Sequence, residues 1–226
     1  MGNKKLIKKI AFAAFCIIVL VPVLFYGYKV LTLRQAEKNV GTIDIDVMIY
    51  EGADAGITDI QALKISKMYY MQDLILEEIQ ESDTLKYSLF NKKEYTPFTV
   101  DLDSLKILPS LEISSKNIGA VGLGDTIPNY KNRIALNDTI LDEIEYKRFA
   151  VRNPNEYTVF YVQNNLNIPY SFNRLAEKDY KGTISRIDTY KIEEDVFLSI
   201  TLKAERTIKK RYFNSLKNNY FKFSNL

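Results

Sequence analysis

Asp101-Leu102-Asp103 and Asp44-Ile45-Asp46 are carboxylate pairs spaced to hold a divalent cation. In an extended strand alternate side chains share one face, so each pair would present both carboxylates to the same side. Neither pair continues as a calcium loop, because the glycine and the distal glutamate of such a loop are missing. The expected reading is the solvated face of a half-buried strand. Asp138, Asp142, Glu143 and Glu145 form a second acidic group, followed later by Glu193, Glu194 and Asp195. Two carboxylates suffice for glycoside hydrolysis, but the chain has no tryptophan to stack a sugar ring, a task left to tyrosine. Gly119-Ala120-Val121-Gly122-Leu123-Gly124 lacks the Lys-Ser/Thr pair and the strand-to-helix frame of a phosphate cradle, and reads as a loop. Histidine is absent. That removes Ser-His-Asp and Cys-His nucleophile systems, zinc sites built on His and Cys, and the usual base near neutral pH. The one thiol, Cys16, lies in an apolar run. The expectation is a scaffold or assembly role, not an enzyme, with no catalytic residue, cofactor or metal.

The elements that would carry such a role begin with that run. Ile10 to Tyr28, IAFAAFCIIVLVPVLFYGY, contains no charge. As a helix its 19 residues span about 28 Å, close to the hydrocarbon thickness of a bilayer. Val30, Leu31 and Leu33 extend it, Lys29 can snorkel, and Tyr26 and Tyr28 suit an interfacial belt. A cleavable signal would end in small residues, whereas this run ends in Phe25-Tyr26-Gly27-Tyr28. Lys4, Lys5, Lys8 and Lys9 precede it without an acid, which places residues 1–9 in the cytoplasm by the positive-inside rule and the body outside. The expected organisation is a basic tail over 1–9, a transmembrane helix over 10–31 and an extracytoplasmic domain over 32–226. Of 31 basic and 28 acidic residues, those four lysines account for the positive excess. The body therefore has no overall basic footprint, and nucleic acid is not an expected partner. The bilayer and other membrane subunits are. Many Lys, Asn, Ile and Tyr suggest an AT-rich bacterial genome.

The body, 46% hydrophobic and 26% charged over the whole chain, has the composition of a folded domain. Val30, Leu33, Ala36 and Val40 fall at helical spacing, so the membrane helix is expected to continue outward as a rod that presents Leu33, Ala36 and Val40 to a partner. Ile43 to Tyr50 fits both a strand and a helical stripe, with helix favoured. Thr58 with Gln61 is a capping-box pattern. Ile60, Leu63, Met68, Met71, Leu74, Ile75 and Ile79 then form one face of a helix, on which Met68 and Met71 are candidate contact residues. Beyond Phe90, prolines punctuate the chain and short β-like runs appear at Phe98–Leu102, Lys106–Leu108, Leu111–Ile113 and Tyr157–Val162. Thr183–Ile192 and Val196–Ala204 read as a hairpin across the acidic turn Glu193-Glu194-Asp195, with Ile200 pointing inward and Thr201 outward. The end of the chain, from Thr207, interleaves Lys209, Lys210, Arg211, Lys217 and Lys222 with Tyr212, Phe213, Tyr220, Phe221 and Phe223. It reads as a last element packing its rings and showing its cations, or as a segment for anionic lipid headgroups or a wall polymer. The fold class is α+β, with helices followed by an antiparallel sheet.

PVLFYGYKVLTLRQAEKNV resembles the start of TadE-like pilus-assembly proteins, in which an apolar helix ends near an Arg-Gln-Ala run. Here these are Arg34, Gln35 and Ala36, with Asn39 following. The resemblance covers about 40 of the 226 residues. It implies a membrane helix leading into an external domain of helix and sheet, and a part in building or anchoring tight-adherence pili. A bitopic subunit of a conjugative or secretion channel shares this layout, as does an anchored cell-wall enzyme.

Overall fold

Ile43, Ile45, Val47 and Ile49 alternate because they lie in a strand, the central one of a large sheet. The computed structural model describes residues 2–54, 56–81, 84–91, 98–107, 126–164 and 166–223. The chain divides into two units, residues 1–39 and 40–226. The first is one helix, α1 (Gly2–Ala36), long and apolar enough to cross a membrane. Ile18, Leu20, Val21, Val23, Leu24 and Phe25 are all exposed along it, as a lipid-facing surface would be.

The second unit holds β1 (Val40–Glu51), β2 (Asp59–Met71), β3 (Leu74–Glu81), β4 (Thr84–Asn91), β5 (Phe98–Val100), β6 (Ile134–Leu141), β7 (Ile144–Asn153), β8 (Glu156–Gln163), α2 (Arg174–Tyr180), β9 (Thr183–Lys191), β10 (Val196–Glu205) and α3 (Lys210–Phe223). The strands form one antiparallel sheet in the order β5-β4-β3-β2-β1-β10-β9-β8-β7-β6. The protein is thus an α+β chain that opens with an apolar helix. Only α1 precedes the sheet; α2 is inserted between β8 and β9, and α3 follows β10.

Two expected helices are strands. Val40 begins β1, so α1 does not run on as a rod through Leu33, Ala36 and Val40. The cause is cross-strand pairing. Asp44 and Asp46, on one face of β1, meet Lys67 and Lys203 at 3.8 and 3.1 Å, while Ile43 and Ile45 on the other face are fully buried. The segment 58–81 is likewise a hairpin, turning at Gln72 with φ of 56°. Met68 and Tyr70 point to one face of β2 and Tyr69 and Met71 to the other, and all four are buried. A strand covered on both sides loses its polar/apolar alternation. Its apolar residues then also coincide with helical spacing. By contrast, the β9–β10 hairpin with its acidic turn forms as expected, and Ile200 packs on the core. The run expected at Phe98–Leu102 is β5. Leu111–Ile113 and the glycine run 119–124 lie outside the described residues.

The main core lies on the inner face of the sheet. Ile43, Ile45, Phe149, Phe160 and Ile187 pack there against Ile127 and Tyr130, the segment Ile168–Phe172, and Ala176 of α2. Asn173 caps α2, accepting from Ala176 N at 2.9 Å. The outer face at β2 and β3 is covered by α3. Tyr212 of α3 stacks on Tyr69 at 3.6 Å between centroids, and both phenols donate to the Glu78 carboxylate. Leu216, Tyr220 and Phe223 are buried on the same side of α3, and Lys210, Arg211 and Lys222 remain exposed.

Burial, followed by these hydrogen bonds, holds the Tyr69 and Tyr212 phenols far above the usual tyrosine range; burial and the bond to Asp179 do the same for Tyr130. A raised folded-state pKa means that stability is complete below the unfolded value, about 10 for tyrosine, and is lost as pH rises from there toward the folded values. Each such phenol costs about 1.4 kcal/mol per pH unit in that window. The tyrosinate absorbance of the protein is therefore expected to rise in two stages. A first rise around the free tyrosine value, about pH 10, is followed by a cooperative step in which the buried phenols, Tyr69, Tyr130 and Tyr212 among them, ionise together with loss of far-ultraviolet dichroism. A single gradual titration with the dichroism retained would count against this packing.

Candidate docking face

Two rows of side chains cross the outer face of the sheet where α3 does not lie. The first runs along successive register partners: Arg152, Tyr157, Tyr190, Phe197, Tyr50 and Ile60, one from each of β7, β8, β9, β10, β1 and β2. Neighbouring strands lie about 4.8 Å apart, so the four aromatic rings span about 15 Å. The rings are half-buried and Ile60 is exposed. Tyr50 and Phe197 lie 5.7 Å apart and tilted by 53°. The row sits at the end of β1 opposite Val40, next to three turns.

Those turns are knitted together by the backbone. Gly52 N and Ala53 N both donate to Asp195 O, at 2.9 and 3.3 Å, and Ile192 N donates to Asn155 O at 2.9 Å. The Asp195 side chain accepts from Asp54 N at 2.8 Å and from the Tyr190 phenol at 2.9 Å. That bond to Asp195, then burial, pushes the Tyr190 phenol up from its ordinary value. Asp54, Glu193, Glu194 and Asp195 lie in the turns next to the rings, and Arg152 continues the row; Glu51, Asp59, Glu156 and Lys191 sit one residue off it, on the other face by strand alternation. The result is a firm aromatic strip next to acidic turns.

A second row, Arg148, Tyr161 and Arg186, lies further along the same face. Both guanidinium carbons approach the Tyr161 ring, at 5.9 and 5.4 Å. Arg186 Nε donates to both oxygens of the buried Asp188, at 2.9 and 3.1 Å, and Ser199 Oγ donates to Asp188 Oδ1 at 2.7 Å. This network orders β8, β9 and β10 beneath the aromatic row.

The carboxylate pairs noted in the sequence do other work. Asp101 is in a turn, where its Oδ1 accepts from Ser104 N and Oγ, both at 2.9 Å. Those bonds hold its carboxyl below the usual range. Asp103 meets Arg211 at 3.4 Å. Asp44 and Asp46 are both in ion pairs. Among the described residues no three His, Cys, Asp or Glu side chains group as metal ligands. The candidate contact residues fall on three elements. Leu33 is half-buried near the end of α1, Ala36 is buried at its last position and Val40 opens β1. Met68 and Met71 are core residues on opposite faces of β2. The aromatic row escapes a reading of the sequence except for one pair: the β9–β10 hairpin itself places Tyr190 opposite Phe197.

No family model matches the chain, and no curated protein does. Among solved structures, the Mycobacterium tuberculosis lipoprotein LppX aligns with 80% of this chain and 96% of its own, at 11% identity and a TM-score of 0.37. A DUF1329 family protein from Desulfovibrio piger aligns with 81% of this chain and 93% of its own, at 11% identity and a TM-score of 0.26. Likenesses at this level assign no residue a role.

Proposed function

We propose that the protein is a single-pass, membrane-anchored assembly component of a bacterial surface apparatus, of the tight-adherence pilus type that its first 40 residues resemble. Residues 1–9 lie in the cytoplasm, α1 crosses the membrane and the sheet unit stands outside. The observation that supports this reading is the aromatic row beside the acidic turns. It is a site for holding a partner, made of side chains suited to contact and not to bond-breaking. A neighbouring subunit would offer a basic segment to it. Lysine and arginine gain attraction over tyrosine faces, and the carboxylates of the neighbouring turns steer them there and repel polyanions.

The test uses the full chain in its own membrane. With Cys16 changed to alanine and Glu193 to cysteine, a membrane-impermeant maleimide is expected to label intact cells, because the hairpin turn is outside. A photoreactive residue in place of Tyr157 is expected to crosslink to an identified subunit of the surface apparatus. Adding Tyr190→Ala and Phe197→Ala should reduce that crosslink by about 30-fold, the size of a central aromatic contact of about 2 kcal/mol. Labelling only after cell lysis, or a crosslink unaffected by both alanines, would overturn the reading.

A further inference from the structure

The opposite end of β1 has the opposite charge. Between β10 and the first turn of α3 the chain reads Arg206-Thr207-Ile208-Lys209-Lys210-Arg211, with no acid. Arg206, Lys209, Lys210 and Arg211 are all exposed. Asp103 answers Arg211 across 3.4 Å, but both side chains are largely in solvent, where such a pair is screened. Glu205 is turned to Thr207, whose Oγ1 donates to it at 3.0 Å. Lys209 and Lys210 are left presenting their charge outward.

The position of this basic strap is fixed. Thr42 Oγ1 donates to Thr207 O at 2.7 Å, and Arg206 donates to Asn167 O at 3.2 Å. The strap is therefore tied to the first residues of β1. β1 starts at Val40, and only Glu37, Lys38 and Asn39 separate it from the last residue of α1. Four backbone steps reach at most about 14 Å. Chain length alone thus bounds how far the start of β1, and the strap tied to it, can lie from the end of α1.

We propose that the strap, through Lys209 and Lys210 with Arg206, binds the anionic phosphate headgroups of the membrane surface. The proposal rests on α1 being a membrane anchor.

The experiment places the full chain in nanodiscs of phosphatidylcholine alone or with phosphatidylglycerol, and follows amide exchange over residues 205–212. Exchange is expected to be at least about tenfold slower in the anionic discs, as about two lysines at an anionic surface would produce. The difference should vanish in high salt, and in the Lys209→Gln/Lys210→Gln variant. Equal exchange in both discs with the chain inserted would overturn the proposal and leave the anchor standing. Equal protection by inorganic phosphate in phosphatidylcholine discs would overturn it in favour of a free anion. A chain that enters neither disc would remove the anchor and the proposal together.

Discussion

Gly41→Ala is expected to lower the stability of the sheet unit by at least about 3 kcal/mol, the upper end of overpacking costs. A Cβ at Gly41 would overlap the backbone oxygen of Glu205, and would lie 2.6 Å from the Tyr70 phenol oxygen and 2.7 Å from its Cζ. Neither neighbour can withdraw cheaply. Tyr70 is fully buried, and Glu205 is held in register with Thr42. Gly41 itself pairs with Tyr70 across to β2, so relief would mean prising β1 away from β2 and β10 together. In a unit of this size that stability change lowers the melting temperature by about 6–12 °C. Gly27→Ala is the control, since nothing lies within 4 Å of a Cβ there. It should leave melting unchanged. Melting of the Gly41 variant within about 2 °C of the parent, against the shift expected from its overpacking, would show that the strand contact is looser than described.

Gly41 also shows what a sequence can disclose. It is the point where three strands pack too closely for a side chain, and nothing local announces that. The β9–β10 hairpin was legible because both strands alternate and the turn between them is short and acidic. β1 carried the same alternation, but its resemblance to a helical stripe could be resolved only by the partners on either side, one of them β10 at the far end of the chain. In 58–81 the local signals misled. A turn at Gln72 in place of Asn-Gly hides the hairpin, and burial on both faces disguises the strand. The candidate site was hidden for the same reason as β1. Tyr50, Tyr157, Tyr190 and Phe197 become a row only once the order β1-β10-β9-β8 is known. The apolar character of α1 was plain throughout, because it is a property of consecutive residues.

Phe149→Ala is expected to be the most damaging core truncation, costing about 3–5 kcal/mol. Phe149 is fully buried at the centre of an aromatic cluster. It stacks on Phe160 at 4.7 Å with 7° between the planes, and on Tyr180 at 4.7 Å with 19°. Tyr130 meets it edge-on at 5.6 Å. Through these rings one sheet residue supports two covering segments, since Tyr180 ends α2 and Tyr130 begins the 3-10 turn Tyr130–Asn132 that leads into β6. Those segments are also joined at their rim. The Tyr130 phenol and the Arg133 guanidinium both donate to Asp179, at 3.0 and 3.2 Å, and Arg133 lies 4.2 Å above the Tyr130 ring. Rim polar contacts of this kind contribute little alone, because Arg133 and Asp179 are about one-third exposed, with side-chain exposures of 31% and 37%. Removing the ring beneath them should therefore release the cover before the sheet. Amide exchange over 126–133 and 174–182 is expected to accelerate far more than over β1 and β10. In a double-mutant cycle with Phe160→Ala, the two losses should fall short of additivity by about 1 kcal/mol, the coupling of a stacked aromatic pair. Exchange that rises uniformly through the sheet would mean that the cover and the sheet open as one unit, and that Phe149 secures the fold and not its lid.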